Sequence, residues 1–223
     1  MKKSIPMGLI SAAVAGLFAV ATPTFATPVT QTIDVGQVFT GATPNGQAPW
    51  LTATFMYDND GSSHVGTLTL YSNLTDGNFL QGGNGNGVMG WGFNLDGNSL
   101  TGYDCTSGTC ATQVGTGSVN SGPVPGGFNL GFGWTSQDRF DGSDTATYSL
   151  TFADMLTTSP FMANGDGYLS FAHVQGITGS DDSSGFIVDD PVVQPVPEPA
   201  ALGMFGLGVL VLGIFVGLRR RFS

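Results

Sequence analysis

Alternating apolar and polar positions run through much of this chain. In Trp50-Leu51-Thr52-Ala53-Thr54-Phe55-Met56-Tyr57 and Val65-Gly66-Thr67-Leu68-Thr69-Leu70-Tyr71, one set of alternate positions is largely apolar and the other rich in Thr. A period of two is the pattern of a half-buried strand. Comparable segments at 32–40, 88–95, 128–134, 145–152, 168–174 and 186–188 predict further strands. Between them stand turn-forming clusters such as Asp-Asn-Asp-Gly at 58–61, Thr-Asp-Gly-Asn at 75–78 and Asn-Gly-Asp-Gly at 164–167. A short helix is expected at most over 153–163, where Pro160 limits it. Seven to nine short strands joined by Gly/Asx turns predict an all-β fold, a single antiparallel β-sandwich of jelly-roll-like form.

Two segments break this pattern. Lys2 and Lys3 precede an apolar run from Met7 to Ala21, and small residues follow at Thr24 and Ala26. That order is the one of a secretory signal peptide over 1–26, with cleavage by signal peptidase between Ala26 and Thr27. Near the other end, Ala200 to Leu218 carries no charge, and nineteen residues at a helical rise span about 28 Å. This predicts a transmembrane helix over 200–218. Arg219, Arg220 and Arg221 open a basic tail over 219–223 and act as a stop-transfer cluster, placing that end in the cytoplasm. An exported domain over 27–193 and a Pro-containing linker over 194–199 complete the predicted organisation.

Composition sharpens the contrast between ends and middle. Of the six Lys and Arg residues five lie in the terminal segments, so residues 27–196 hold fifteen Asp against Arg139 alone, a net charge of −14. Such a segment repels phosphates, which excludes nucleic acid as a partner.

Immediately before the apolar span stands Val196-Pro197-Glu198-Pro199-Ala200, containing the single Glu of the chain. The tripeptide, the Gly- and Leu-rich span and the Arg cluster, in this order, resemble the PEP-CTERM sorting signal of Gram-negative bacteria that make exopolysaccharide. The same terminal segment is also called an ice-binding protein C-terminal domain, a name that implies no activity. The resemblance implies that exosortase, an integral-membrane cysteine protease, recognises Pro197, Glu198 and Pro199 and removes the tail. Transient anchoring in the inner membrane would then be followed by release or transfer to the cell surface. Flanking prolines suit this role physically, because they keep the recognised segment extended and out of the following helix.

Candidate chemistry in the exported domain is sparse. Cys105 and Cys110 are the two cysteines, and an even count in an exported chain points to a disulfide, with a metal pair as the alternative. Gly85 to Gly90 matches G-x-G-x-x-G, but the following Trp91-Gly92-Phe93 reads as a strand and supplies no helix N-terminus for a phosphate. Asp58 with Asp60, Asp138 with Asp141 and Asp144, Asp181 with Asp182, and Asp189 with Asp190 offer hard oxygen ligands for Ca²⁺, although Asp at turns also caps local amides without a metal. No cofactor is otherwise expected. A hydrolase acting on polysaccharide would need Asp138, Asp141 or Asp144 to meet His64 or His173 in a cleft. The Ala172-His173-Val174-Gln175-Gly176 stretch resembles the last hairpin of many PEP-CTERM passengers, where its role is structural. No catalytic motif is present, and a non-enzymatic surface or matrix protein of the exopolysaccharide layer is the expectation.

Trp50, Trp91 and Trp134 with Tyr57, Tyr71 and Tyr103 could form a sugar-stacking platform or fill a core. Thr-x-Thr occurs at 30–32, 52–54, 67–69 and 145–147. A ladder of such pairs could order water, as ice-binding faces do. Their irregular spacing instead favours ordinary β-propensity.

Overall fold

The computed structural model describes residues 28–191 except 61, 83–86, 98–99 and 179–182. The Ala26–Thr27 cleavage site, Asp181 and Asp182, the Pro-Glu-Pro linker, the span 200–218 and the arginines of the tail all lie outside the described residues.

Twelve strands and no helix occur among the described residues: β1 (Pro28–Gly41), β2 (Leu51–Asp58), β3 (Val65–Ser72), β4 (Phe79–Leu80), β5 (Trp91–Phe93), β6 (Leu100–Gly108), β7 (Gln113–Val119), β8 (Phe128–Gly133), β9 (Phe140–Asp141), β10 (Thr145–Phe152), β11 (Ser170–Gln175) and β12 (Ser184–Asp189). The alternating segments form the strands they predict. In β2 the apolar set Leu51, Ala53, Phe55 and Tyr57 is buried, and Leu68 and Leu70 of β3 and Ala146, Tyr148, Leu150 and Phe152 of β10 join it in one core. The short helix expected over 153–163 does not form. Phe161 instead makes an isolated bridge with Leu95 and enters the core, 4.9 Å between ring centroids from Phe55 and 5.5 Å from Phe93.

All strand pairs are antiparallel, in the order β6-β10-β3-β2-β1-β12-β11-β5-β8-β7. The expected all-β antiparallel class holds. Two separate sheets do not form, because β1 carries the hydrogen bonding without a break from one layer to the other. Its first half pairs with β2, from Pro28↔Asp58 to Val35↔Leu51, and its second half pairs with β12, from Val35↔Asp189 to Gly41↔Gly185. Register shifts after Val35 and Val38 mark bulges, which bend a strand and increase its twist. Val35 is the pivot. The path ends on β6 and β7, which are consecutive in sequence, so the sheet curls into a nearly closed, barrel-like form. Across its interior Phe132 of β8 meets Tyr148 of β10 at 4.6 Å.

The outer sides of the two layers differ. Over β5, β8, β11 and β12, the segment carrying Val119 and Val124 covers a second small core of Met89, Phe128, Phe171 and Val188. β8 is consequently buried along nearly its whole length. Over β1, β2, β3 and β10 the outward positions are exposed or half-buried.

Candidate functional site

The open layer gathers the Thr-x-Thr pairs. Thr32 of β1 is opposite Thr54 of β2, Thr54 is opposite Thr69 of β3, and Thr69 is opposite Thr147 of β10, which in turn pairs with Ser107 of β6. Four threonines thus form one row across four adjacent strands. Directly paired residues on antiparallel strands share a face, so the row lies on one side of the sheet. On one flank runs Thr30, Met56, Thr67 and Ser149; on the other, Asp34, Thr52, Tyr71 and Thr145. The irregular spacing of these pairs along the chain reflects the unequal segments between their strands, with β4 to β9 lying between β3 and β10, and the ladder that spacing argued against is present.

Exposure divides the aromatic residues. Trp50, Trp91, Trp134 and Tyr57 are buried, so no tryptophan platform exists. Trp91 Nε1 donates to Ser170 Oγ at 2.8 Å, and Trp134 Nε1 donates to the Thr109 carbonyl at 3.0 Å. Tyr71 is 39% exposed and stands on the threonine face, as does Met56 at 46%. Tyr103 is also exposed, but it pairs with the inward Leu150 on the edge strand β6.

At the β1 end of this face a groove of about 390 Å³ is lined by Asp34, Gly36, Gln37, Ala48, Pro49 and Asp190. Asp34 links the two features, since Thr52 Oγ1 donates to its Oδ1 at 2.8 Å. Gln37 Nε2 donates to Asp190. The neighbouring Asp189 is buried, and its carboxylate accepts the backbone N–H groups of Leu169, at 3.0 Å, and Ser170, at 2.8 Å. Burial outweighs these bonds and pushes its pKa up to about 6.

The remaining Asp and His candidates serve their own turns and strands. Asp60 Oδ1 accepts the N–H groups of Ser62 and Ser63, and its pKa is lowered first by the Ser62 hydroxyl and then by these backbone bonds. Asp144 accepts the Asp141 N–H at 2.9 Å and the Thr109 hydroxyl at 3.0 Å, while Asp138 pairs with Thr135. Burial, followed by the nearby Asp144 charge, raises the Asp141 pKa. His173 stacks on Phe186, 4.3 Å between centroids and 4° from parallel, and burial lowers its pKa. His64 lies before β3, its carbonyl accepting the Phe152 N–H at 2.8 Å. These contacts do not build the Asp–His cleft that a hydrolase would need. Among the described residues no three His, Cys, Asp or Glu groups gather in a way that could hold a metal ion. Cys105 and Cys110 stand at disulfide distance with Cα atoms 6.0 Å apart. Beside them the Tyr148 hydroxyl accepts the Ala111 N–H at 2.6 Å.

Comparison with known families decides the routing. A family model described as the PEP-CTERM protein-sorting motif matches residues 195–221. The chain carries a PEP-CTERM sorting motif. The match covers Pro197, Glu198 and Pro199, the apolar span and the three arginines, as the sequence resemblance implied. A PEP-CTERM motif implies export and exosortase-mediated sorting to the cell surface, with exosortase as the processing partner. No curated protein and no solved structure matches the chain.

Proposed function

We propose that this exosortase-sorted surface protein acts without catalysis, as an adhesive or structural component that contacts glycan in an exopolysaccharide layer. Its exported unit is the barrel-like β domain over 27–193, released when the Pro-Glu-Pro segment is cut and the anchor is left in the inner membrane. The observation that carries the reading is the pairing of a sorting motif with an open sheet face of hydroxyl groups and one exposed tyrosine. Hydroxyls on a rigid sheet offer donors and acceptors to sugar hydroxyls, and an aromatic ring offers an apolar face to a pyranose. An acidic polymer would need Ca²⁺ as a bridge to this domain, because the charge of −14 over 27–196 repels it unaided.

Two measurements test the reading in cells that make exopolysaccharide. Replacing Glu198 with Ala should leave the chain uncut in the inner membrane, and normal release of that variant would refute the sorting step. The released wild-type protein should co-sediment with exopolysaccharide, and its recovery free in the supernatant would refute glycan contact.

A further inference from the structure

We infer that the row Thr32, Thr54, Thr69 and Thr147 is the floor of a binding trough for one extended chain of a neutral polysaccharide. This rests on the glycan-contact reading and assigns it a place and a ligand class. β-Propensity explains why threonine is common on a solvent-facing strand, but not why four pairs separated by unequal stretches of chain fall into register. Adjacent strands lie about 4.8 Å apart, so the row offers one hydroxyl and one methyl at a pitch close to the length of a single pyranose residue in an extended glycan. Successive sugars would meet successive strands.

The walls favour a single chain over a planar surface. Met56 stands two residues beyond Thr54 on β2, and Tyr71 two residues beyond Thr69 on β3, on opposite sides of the row. At 46% and 39% exposure both project from the sheet, and Thr54 and Thr69 are half-buried between them. A level array suited to ordered water is interrupted at these two points. A polymer lying along the row has hydroxyls beneath it, an apolar wall at Met56 and a ring with a hydroxyl tip at Tyr71.

Charge sets the class of polymer. The row has no ionisable group, and carboxylates occur at the margins, with Asp34 ending the Tyr71 flank and Asp104 lying beyond Ser149 on the Met56 flank. Arg139, the lone cation of 27–196, is engaged elsewhere, its guanidinium 4.0 Å from the Phe79 ring centroid. Nothing on the face would attract a uronate or sulfate, and the margins would repel one.

Affinity electrophoresis of the full-length chain in detergent, through gels containing a soluble neutral β-linked glucan or an anionic polyuronate, tests the assignment. The glucan should retard the wild type. The double variant Thr54→Val/Thr69→Val and the single variant Tyr71→Ala should each bind about three- to tenfold more weakly. Asp190→Asn, in the groove, should bind as the wild type does. Valine keeps the β-branched shape, and an unchanged near-ultraviolet spectrum of the buried tryptophans would show that the variants fold. Equal retardation of all variants would overturn the assignment, as would retardation by polyuronate alone. Shaping of ice crystals without glucan binding would also overturn it and give the row to ordered water. After any of these, co-sedimentation with native exopolysaccharide decides whether the wider glycan reading survives.

Discussion

Thr54 of β2 lies directly opposite Thr69 of β3, on a sheet face that no other segment covers among the described residues. The pair shows how strand register alone can present an ordered chemical surface. Backbone pairing sets the hydroxyl spacing, so the array needs no dedicated loop. Its rigidity comes from the other side of the same strands, where Phe55, Leu68 and Leu70 are fully buried.

Ser170 is a point where the core depends on a polar bridge. Its hydroxyl accepts from Trp91 Nε1 at 2.8 Å and donates to the Gly92 carbonyl at 3.0 Å, all in a buried setting. Ser170→Ala takes the acceptor from the buried Trp91 Nε1 and one donor from the Gly92 carbonyl, and a buried donor left unpaired costs about 1–3 kcal/mol. Urea denaturation followed by tryptophan fluorescence should show the midpoint fall, and an unchanged midpoint would mean the bridge contributes nothing net.

Asp189 gives stability a pH dependence of defined sign. Its folded pKa of about 6 lies above the ordinary aspartate range, so the folded state binds the proton more tightly than the unfolded chain. The contribution is fully present below the unfolded pKa and is lost as pH rises through about 6. Its full size is about 3 kcal/mol. Stability of the wild type should therefore drop between pH 4 and pH 7 more steeply than that of Asp189→Asn, which cannot titrate there. Parallel slopes for the two proteins would contradict this role for Asp189.

Gly66 lies under the Phe55 ring. A Cβ built at Gly66 would fall 2.1 Å from Phe55 Cζ, inside a packed core. Gly66→Ala must displace the ring, and overpacking of this kind costs about 1–3 kcal/mol. A lower melting temperature is expected, partly recovered by the second change Phe55→Leu.

The disulfide loop is held by more than its covalent link. Closing so short a loop contributes about 2 kcal/mol in the chain-entropy model. The Tyr148 hydroxyl and Trp134 Nε1 also fasten residues 109–111. Reduction should lower the denaturation midpoint without unfolding the domain, and loss of the near-ultraviolet spectrum on reduction alone would show the link to be essential.

The sorting motif and the signal peptide expected over 1–26 are legible without partners in space, because each is a short linear segment. Mass spectrometry of the released form should accordingly begin at Thr27, and a mature chain retaining Lys2 would contradict removal of the signal peptide. Local alternation was equally legible: β2, β3 and β10 each bury one apolar set, which a period of two declares without knowledge of neighbours. β6 and β7 were not legible, since as the end strands of the sheet path they bury little and carry no apolar alternation. The fate of the aromatics also needed the fold: Trp91 and Tyr71 both lie on strands, and which side faces the core depends on the sheet around them. The threonine row depended on it most. The sequence by itself determined export, sorting and the strand class, because those depend on composition and near neighbours. Tertiary structure alone decided which threonines stand together, because register across β1, β2, β3 and β10 is set by long-range pairing and by a shared buried face.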